Sequence, residues 1–322
     1  MKAVVYEQYG DPAVLKVSEV EKPTIKPNQV LIKVKASGIN PVDTYFRKGI
    51  RQVDSFPYIP HFDVSGVVSE VGSEVENIKI GDHVWATNAK GASAEYVAVA
   101  SNFVFPLHAD LPYADGAALA MPFMTAHLAL HFKGNLQENE SVLIFGAAGA
   151  VGHAAVQLAK QAGAHVIATA GNAEKAEIAR KAGADHVIMY KEEDIVARAM
   201  ELTNNEGIDL ILDMSLSENI EKDLEMVTVG GRIVTIGSPV NNTPTLPWRQ
   251  LNMKNASLLG ILLFTAPLKE LTRAGKEISE SFSNGMLTAH IGKIFPYTEA
   301  ASAHQLLEQK EVNGRIILNH EE

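Results

Sequence analysis

Two stretches of the chain carry residues whose types and spacing could do chemistry. The first is YIPHFDVSG, residues 58 to 66, where His61 and Asp63 stand two apart just after a proline. An imidazole and a carboxylate that close are either two ligands for a metal ion or one polar wall of a site without metal. The second is GAAGAVG, residues 146 to 152, where Gly146, Gly149 and Gly152 recur at three-residue spacing. The run SVLIF leads into it and the helical run AVQLAKQAG leaves it. A glycine-rich turn between a strand and a helix lets a pyrophosphate approach the backbone and lie at the helix N-terminus, and the third glycine lets helix and strand pack closely. In that context the spacing points to a dinucleotide site.

Two kinds of pattern surround these stretches. The first third of the chain reads as short strands and turns. QVLIKVKA (29–36) alternates, with Val30, Ile32 and Val34 on one face and Lys33 and Lys35 on the other. DVSGVVSEVG, DHVWA and AEYVAV follow, with glycine and proline between them, which predicts a twisted β-barrel. Near residue 117 the pattern changes. SVLIFG, HVIATA, HVIMY, IDLILDM, GRIVTIG and LLGILLF alternate with helical runs and are apolar on both faces, as in a buried parallel sheet. Six such strands predict a doubly wound order. After residue 265 a helix (LKELTRAGKEISESF) and the strand GRIILN return the chain to the first domain. The expected division is a first domain over residues 1–120, completed by 265–322, and a dinucleotide-binding domain over 121–264.

Composition narrows the function. The chain has 322 residues, 46% apolar and 20% charged, enough for two domains with sizeable cores. The formal net charge of −10 argues against nucleic acid or a membrane surface as partner. The absence of cysteine excludes disulfides, zinc–thiolate sites and thiol nucleophiles. The most apolar window, AALAMPFMTAHLALHF, is broken by Pro122 and His127 and is too short to span a bilayer. With no signal-peptide pattern at MKAVVYEQYG, the expectation is a cytoplasmic protein.

The second strand of the sheet ends HVIATAGN. Sites that prefer NAD place an acid about 20 residues beyond the glycines for the ribose 2′-hydroxyl. Here Ala170, Gly171 and Asn172 stand instead, with Lys175 one helical turn later. That combination favours a 2′-phosphate and hence NADP(H). Tyr190, at the end of the third strand, either flanks the adenosine end or is an ordinary strand-end tyrosine.

The segments GINPVDTYFRKG, GAAGAVGHAAVQLAKQAG, PFMTAHLAL, IDLILDM and GGRIVTIGS, with the C-terminal return, resemble the medium-chain dehydrogenase/reductase superfamily. Within it the chain is similar to the zinc-free quinone oxidoreductases of the zeta-crystallin type, over nearly its whole length. The resemblance implies an α/β fold, a GroES-like β-barrel catalytic domain plus a Rossmann doubly wound parallel-sheet domain, with NADPH as cofactor and a homodimer or homotetramer. Zinc-dependent relatives carry a ligand cysteine where this chain has Asn40 and a ligand histidine where it has Phe62. His61 stands one place early, and neighbouring residues of an extended segment point to opposite sides. No metal ligand is therefore expected.

The resemblance also implies site residues. Asn40 and Tyr45 would line the substrate pocket, offering neutral hydrogen bonds to an oxygen that gains charge. Ala148, Gly149, Ala150 and Val151, within the Gly146–Gly152 turn, would cradle the pyrophosphate. Gly171, Lys175 and Tyr190 would meet the adenosine 2′-phosphate end. Ser217 follows the fourth strand, and Gly237 and Ser238 the fifth. Leu263 and Phe264 would border the nicotinamide, with Thr125 near its carboxamide. Arg51 stands where the family often has a second tyrosine, and it reads either as a cation at the pocket mouth or as a solvated loop residue. Arg315, in NGRIIL, either adds positive charge or is solvated at a strand edge, the latter being the expectation, and His61 either supplies pocket polarity or, as expected, holds an ordinary loop position.

The expected activity is NADPH-dependent reduction of a quinone. An enone or alkenal reductase would use the same flat conjugated acceptor but gains more from a proton donor, and no residue in the sequence stands out as a tuned acid. A non-catalytic NADPH-binding protein is the third reading.

Overall fold

The alternation in Gln29–Ile39 places Val30, Ile32 and Val34 in a core with Val64, Val68, Val84, Val97, Val99 and Val104. The computed structural model describes residues 1–321. Among these residues the chain divides into two compact units, Met1–Met121 with the segment from Leu271 onward, and Pro122–Glu270.

The first unit begins with strands β1 (Lys2–Val5), β2 (Lys16–Glu19) and β3 (Gln29–Ile39), then helix α1 (Pro41–Arg47). Strands β4 (Asp63–Val71), β5 (His83–Ala86), β6 (Tyr96–Ala100) and β7 (Val104–Pro106) follow. Helix α2 (Tyr113–His127) starts in this unit and leads out of it.

The second unit is a run of parallel strands and helices: β8 (Ser141–Ile144), α3 (Ala150–Gln161), β9 (His165–Ala170), α4 (Ala173–Lys181), β10 (His186–Met189), α5 (Ile195–Leu202), β11 (Ile208–Asp213), α6 (Leu216–Met226), β12 (Val227–Thr235), α7 (Trp248–Met253) and β13 (Ser257–Gly260). The strand order is β10-β9-β8-β11-β12-β13, and every pairing is parallel. The order reverses direction between β8 and β11, the place where open sheets of this kind bind ligands. Leu143, Ile167, Ile188, Ile211 and Ile233 from five strands share one core with Ile220 and Leu224 of α6, which is why the strand runs are apolar rather than alternating.

Helix α8 (Leu268–Ser283), strand β14 (Ile291–Pro296), helix α9 (Ala300–Gln309) and strand β15 (Arg315–Asn319) bring the chain back to the first unit. There the sheet runs β14-β15-β3-β4-β5-β7, with β6 also on β3. The first half of β3 pairs with β6 and its last residues pair with β15, while β4 lies along its other edge. Bulges between Leu31 and Ile32 and between Val34 and Ala36 bend it. This placement sets Asp63, first residue of β4, opposite Gly38, and Ile316 opposite Ile39.

Candidate functional site

In the second unit the candidate cofactor residues gather at the C-terminal ends of the strands. Gly146 has φ +63°, and a Cβ on Gly152 would lie 2.3 Å from the Gly146 carbonyl oxygen, so both positions require glycine. Gly149 caps α3, whose first turn holds Ala150, Val151 and Gly152. That helix end presents backbone N–H groups to an anion. The Gly146 amide also donates to Thr169 Oγ1 at 3.3 Å, tying the turn to β9. At the end of β9 the Tyr190 ring lies against the Gly171 backbone. Asn172 caps α4 by accepting from the Lys175 amide at 2.9 Å, which sets Lys175, half-exposed, in the first turn. After β11 the Ser217 amide donates to Ser238 Oγ at 3.1 Å, and the Leu216 amide to the Gly237 carbonyl at 3.0 Å. Ser217 Oγ is buried with no hydrogen-bond partner among the described residues. Leu263 is buried in the short helical turn after β13, and Phe264 is half-buried beside it. Thr125 is buried in α2. The glycine turn and the acid-free end of β9 keep the pattern expected for a dinucleotide with a 2′-phosphate.

In the first unit His61 and Asp63 enter different networks. His61, at φ +73° and fully buried, stacks on His304 of α9 with their Nε2 atoms 2.9 Å apart. Arg47 Nη1 lies 3.4 Å from His304 Nδ1. A guanidinium only donates, so His304 Nδ1 accepts, its Nε2–H donates to His61 Nε2, and the remaining proton sits on His61 Nδ1. Burial keeps both rings neutral, His61 well below the ordinary imidazole range and His304 down to about 3. Arg47 is neutralised by Glu308. His61 lies in a loop, as expected from the sequence, but that loop position is fully buried in the core. Phe62 turns instead to the Phe46 ring.

Asp63 collects donors. It accepts from Asn40 Nδ2 at 2.8 Å, from Thr87 Oγ1 at 2.9 Å, from the Met121 backbone and from Arg315 Nη2. Arg315 Nη1 donates to Asn40 Oδ1. The expectation of a solvated Arg315 is overturned. The residue is 3% exposed, because β15 pairs with the end of β3 and its guanidinium packs against Gly38, where a Cβ would stand 2.5 Å from Nη2. Asn40 is also buried and caps α1, its backbone N–H donating to Asp43 Oδ2 at 2.6 Å. Its amide oxygen and one amide N–H are engaged inside the protein, leaving one N–H. Tyr45, on the same helix, is half-exposed, as is Arg51 beyond it.

Two buried carboxyl groups, Asp43 and Asp63, lie within reach of the buried cation Arg315. Burial pushes both carboxyls up, Asp43 to about 8, while Arg315 and the hydrogen bonds pull Asp63 back. The cluster is neutral when Asp43 keeps its proton. Among the described residues no group of three or more His, Cys, Asp or Glu is placed to hold a metal ion, and no helix is long and apolar enough to cross a membrane.

Comparison with known proteins places this arrangement. Residues 26–109 match the alcohol dehydrogenase GroES-like domain, and residues 150–280 match the zinc-binding dehydrogenase domain. The quinone oxidoreductase of Sus scrofa is 36% identical over 99% of this chain and 97% of the relative. The chain belongs to the quinone oxidoreductases of the medium-chain dehydrogenase/reductase superfamily. A quinone oxidoreductase structure from Escherichia coli, complexed with NADPH, superposes with a TM-score of 0.89 at 29% identity, covering 99% of this chain and 100% of that one. The CurK enoyl reductase superposes with the same TM-score, 0.89, at 26% identity over 99% and 98% of the two chains. The acid at the start of β4, Asp63, is fully buried, and Arg315 supplies its countercharge.

The sequence did not reveal Asp43, Arg315 or His304. Signals for two of them exist: Asp43 sits three residues after an Asn-Pro helix start, the spacing of a capping box, and Arg315 opens an otherwise apolar strand. His304 carries no signal in the sequence, because its partner stands 243 residues away.

Proposed function

We propose that the protein is an NADPH-dependent oxidoreductase that reduces quinones. The observation that carries this is the full-length similarity to quinone oxidoreductases, joined to a glycine turn and an acid-free β9 end suited to NADPH. NADPH, when bound, supplies hydride from its nicotinamide ring. The chain's residues bind and orient. The Gly146–Gly152 turn and the start of α3 hold the pyrophosphate through backbone N–H groups. Lys175 and Gly171 take the 2′-phosphate, with Tyr190 against the adenosine end. Ser217, Gly237 and Ser238 border the middle of the cofactor, and Leu263, Phe264 and Thr125 its nicotinamide end. Tyr45 donates a hydrogen bond to an acceptor oxygen as charge develops there, and Asn40 offers its one remaining amide N–H. Arg315 and Asp63 fix that amide in one orientation.

A second reading, reduction of activated C=C bonds, is favoured by the likeness to an enoyl reductase. Self-association as a dimer or tetramer is supported by the open edge of β13 and by exposed Val240, Trp248 and Met253 in the same unit. Sedimentation analysis tests it. A panel of quinones and enones, assayed by NADPH consumption, tests the activity. Quinones should turn over with NADPH in preference to NADH, and no turnover of any quinone would remove the proposal.

A further inference from the structure

The second unit holds a pair of acids that the cofactor site does not itself use. Asp213 ends β11 and Asp223 lies on the core side of α6, between Ile220 and Leu224. Both are 0% exposed. Asp213 Oδ1 accepts from the Ser215 amide at 2.7 Å and from Asn219 Nδ2 at 2.9 Å, which fixes the turn from β11 into α6. Asp213 Oδ2 and both oxygens of Asp223 are buried and meet no donor among the described residues, and α6 packs on β11 so that the two carboxyls act on each other. Two carboxylates are acceptors only, so they can bond to one another only if one keeps a proton. Two charges facing one another in the core would repel strongly.

We infer that Asp223 is a positioning residue that shares one proton with Asp213, and that this proton holds the Met214–Ser217 turn in the shape that receives the cofactor. The inference rests on the NADPH reading above. The proton sits on the partner with no other donors, Asp223, which gives its hydrogen to Asp213 Oδ2. Asp213 then stays an acceptor for Ser215 and Asn219, and Ser217 stays beside Ser238. Burial, reinforced by Asp213, pushes Asp223 up to about 9. The other charges acting on the pair are Glu218, which raises Asp213, and Lys222, which lowers Asp223. The elements packed on α6 bring apolar residues to its core side, Leu202 from α5, Leu251 from α7 and Ile233 from β12.

The sign follows. In the native protein Asp223 holds a proton that the unfolded chain releases near pH 4, so its contribution to stability falls as pH rises from about 4 to about 9. Above that the pair repels and the turn loosens.

The test compares wild type, Asp223→Asn and Asp223→Ala. Asparagine keeps the donor to Asp213 without a titrating proton, so D223N restores what D223A removes. Without cofactor, the melting temperature of wild type should fall relative to D223N between about pH 5 and about pH 9. NADPH affinity of wild type should weaken by about tenfold per pH unit above about pH 9, while D223N stays flat. D223A should bind weakly at every pH and D223N normally at neutral pH. Parallel melting curves for wild type and D223N overturn the shared proton. A melting temperature raised by potassium or magnesium in wild type alone also overturns it, since a cation would then sit between the acids. If the melting difference appears but NADPH binds at no pH, the cofactor reading fails and the proton pair stands.

Discussion

The two units cancel buried charge in different ways. In the first, cations meet anions: Arg315 meets Asp63 and Arg47 meets Glu308, while the His61–His304 pair stays neutral chiefly through burial, reinforced by nearby guanidinium charge. In the second, Asp213 faces Asp223 with no buried Lys or Arg among the described residues of that unit, and on the inference above a proton does the neutralising. The difference teaches that pH reaches the two units from opposite sides. Acid charges the histidines of the first unit, and alkali strips the proton of the second. Asp43 makes the first unit alkali-sensitive too, though its site keeps a permanent cation in Arg315.

The largest expected effect breaks the first kind of cancellation. Arg315→Ala leaves Asp63 buried without its cation and should cost about 3–5 kcal/mol, read by denaturant unfolding. Arg315→Lys should recover part of it, since one ammonium cannot serve Asn40 and Asp63 as a fork does. A loss below about 1 kcal/mol for alanine would mean the pair is not buried as described.

The next effect concerns acid. His304 is held down to about 3 and His61 is lowered as well, against an ordinary value of 6.5. The unfolded chain therefore takes up protons that the native one refuses. Stability is complete above about pH 6.5 and falls below it by up to about 1.4 kcal/mol per pH unit for each ring. Unfolding at a series of pH values should show that slope in wild type and a shallower one in His304→Leu. Equal slopes would remove the pair from the account.

A third effect belongs to the cofactor side. Lys175→Ala should weaken NADPH by about 1.5–3 kcal/mol, roughly ten- to a hundred-fold, and leave NADH unchanged. Calorimetry of both cofactors decides it, and an equal loss for both would assign Lys175 a structural role in α4. The smallest effect is Tyr45→Phe, which should lower quinone kcat/KM by at most about 1.5 kcal/mol, one hydrogen bond to developing charge. If it abolishes enone reduction and spares quinones, Tyr45 is a proton donor and the second reading gains.

The cofactor side was largely legible in the sequence and the substrate side was not, for a physical reason. A pyrophosphate turn is made of backbone, so its demand appears locally as glycine at fixed spacing between a strand and a helix. The doubly wound order follows from the same local alternation. Asn40, Asp63 and Arg315 stand 23 and 252 residues apart along the chain, and only the register of β15 on β3 and of β3 on β4 brings them together. Arg315 on its own looks like a strand-edge residue. Asp223 was legible in part, since Leu216, Ile220, Asp223 and Leu224 fall on one face of α6 and an acid among them is out of place.

The central claim is that this chain takes hydride equivalents from NADPH and passes them to quinones. The most direct measurement is kcat/KM for a para-quinone with NADPH and with NADH, alongside an aliphatic enone with NADPH. The account predicts that the quinone with NADPH is the best of the three, with NADH poorer by about tenfold or more. Equal rates with the two cofactors, or faster turnover of the enone, would contradict it.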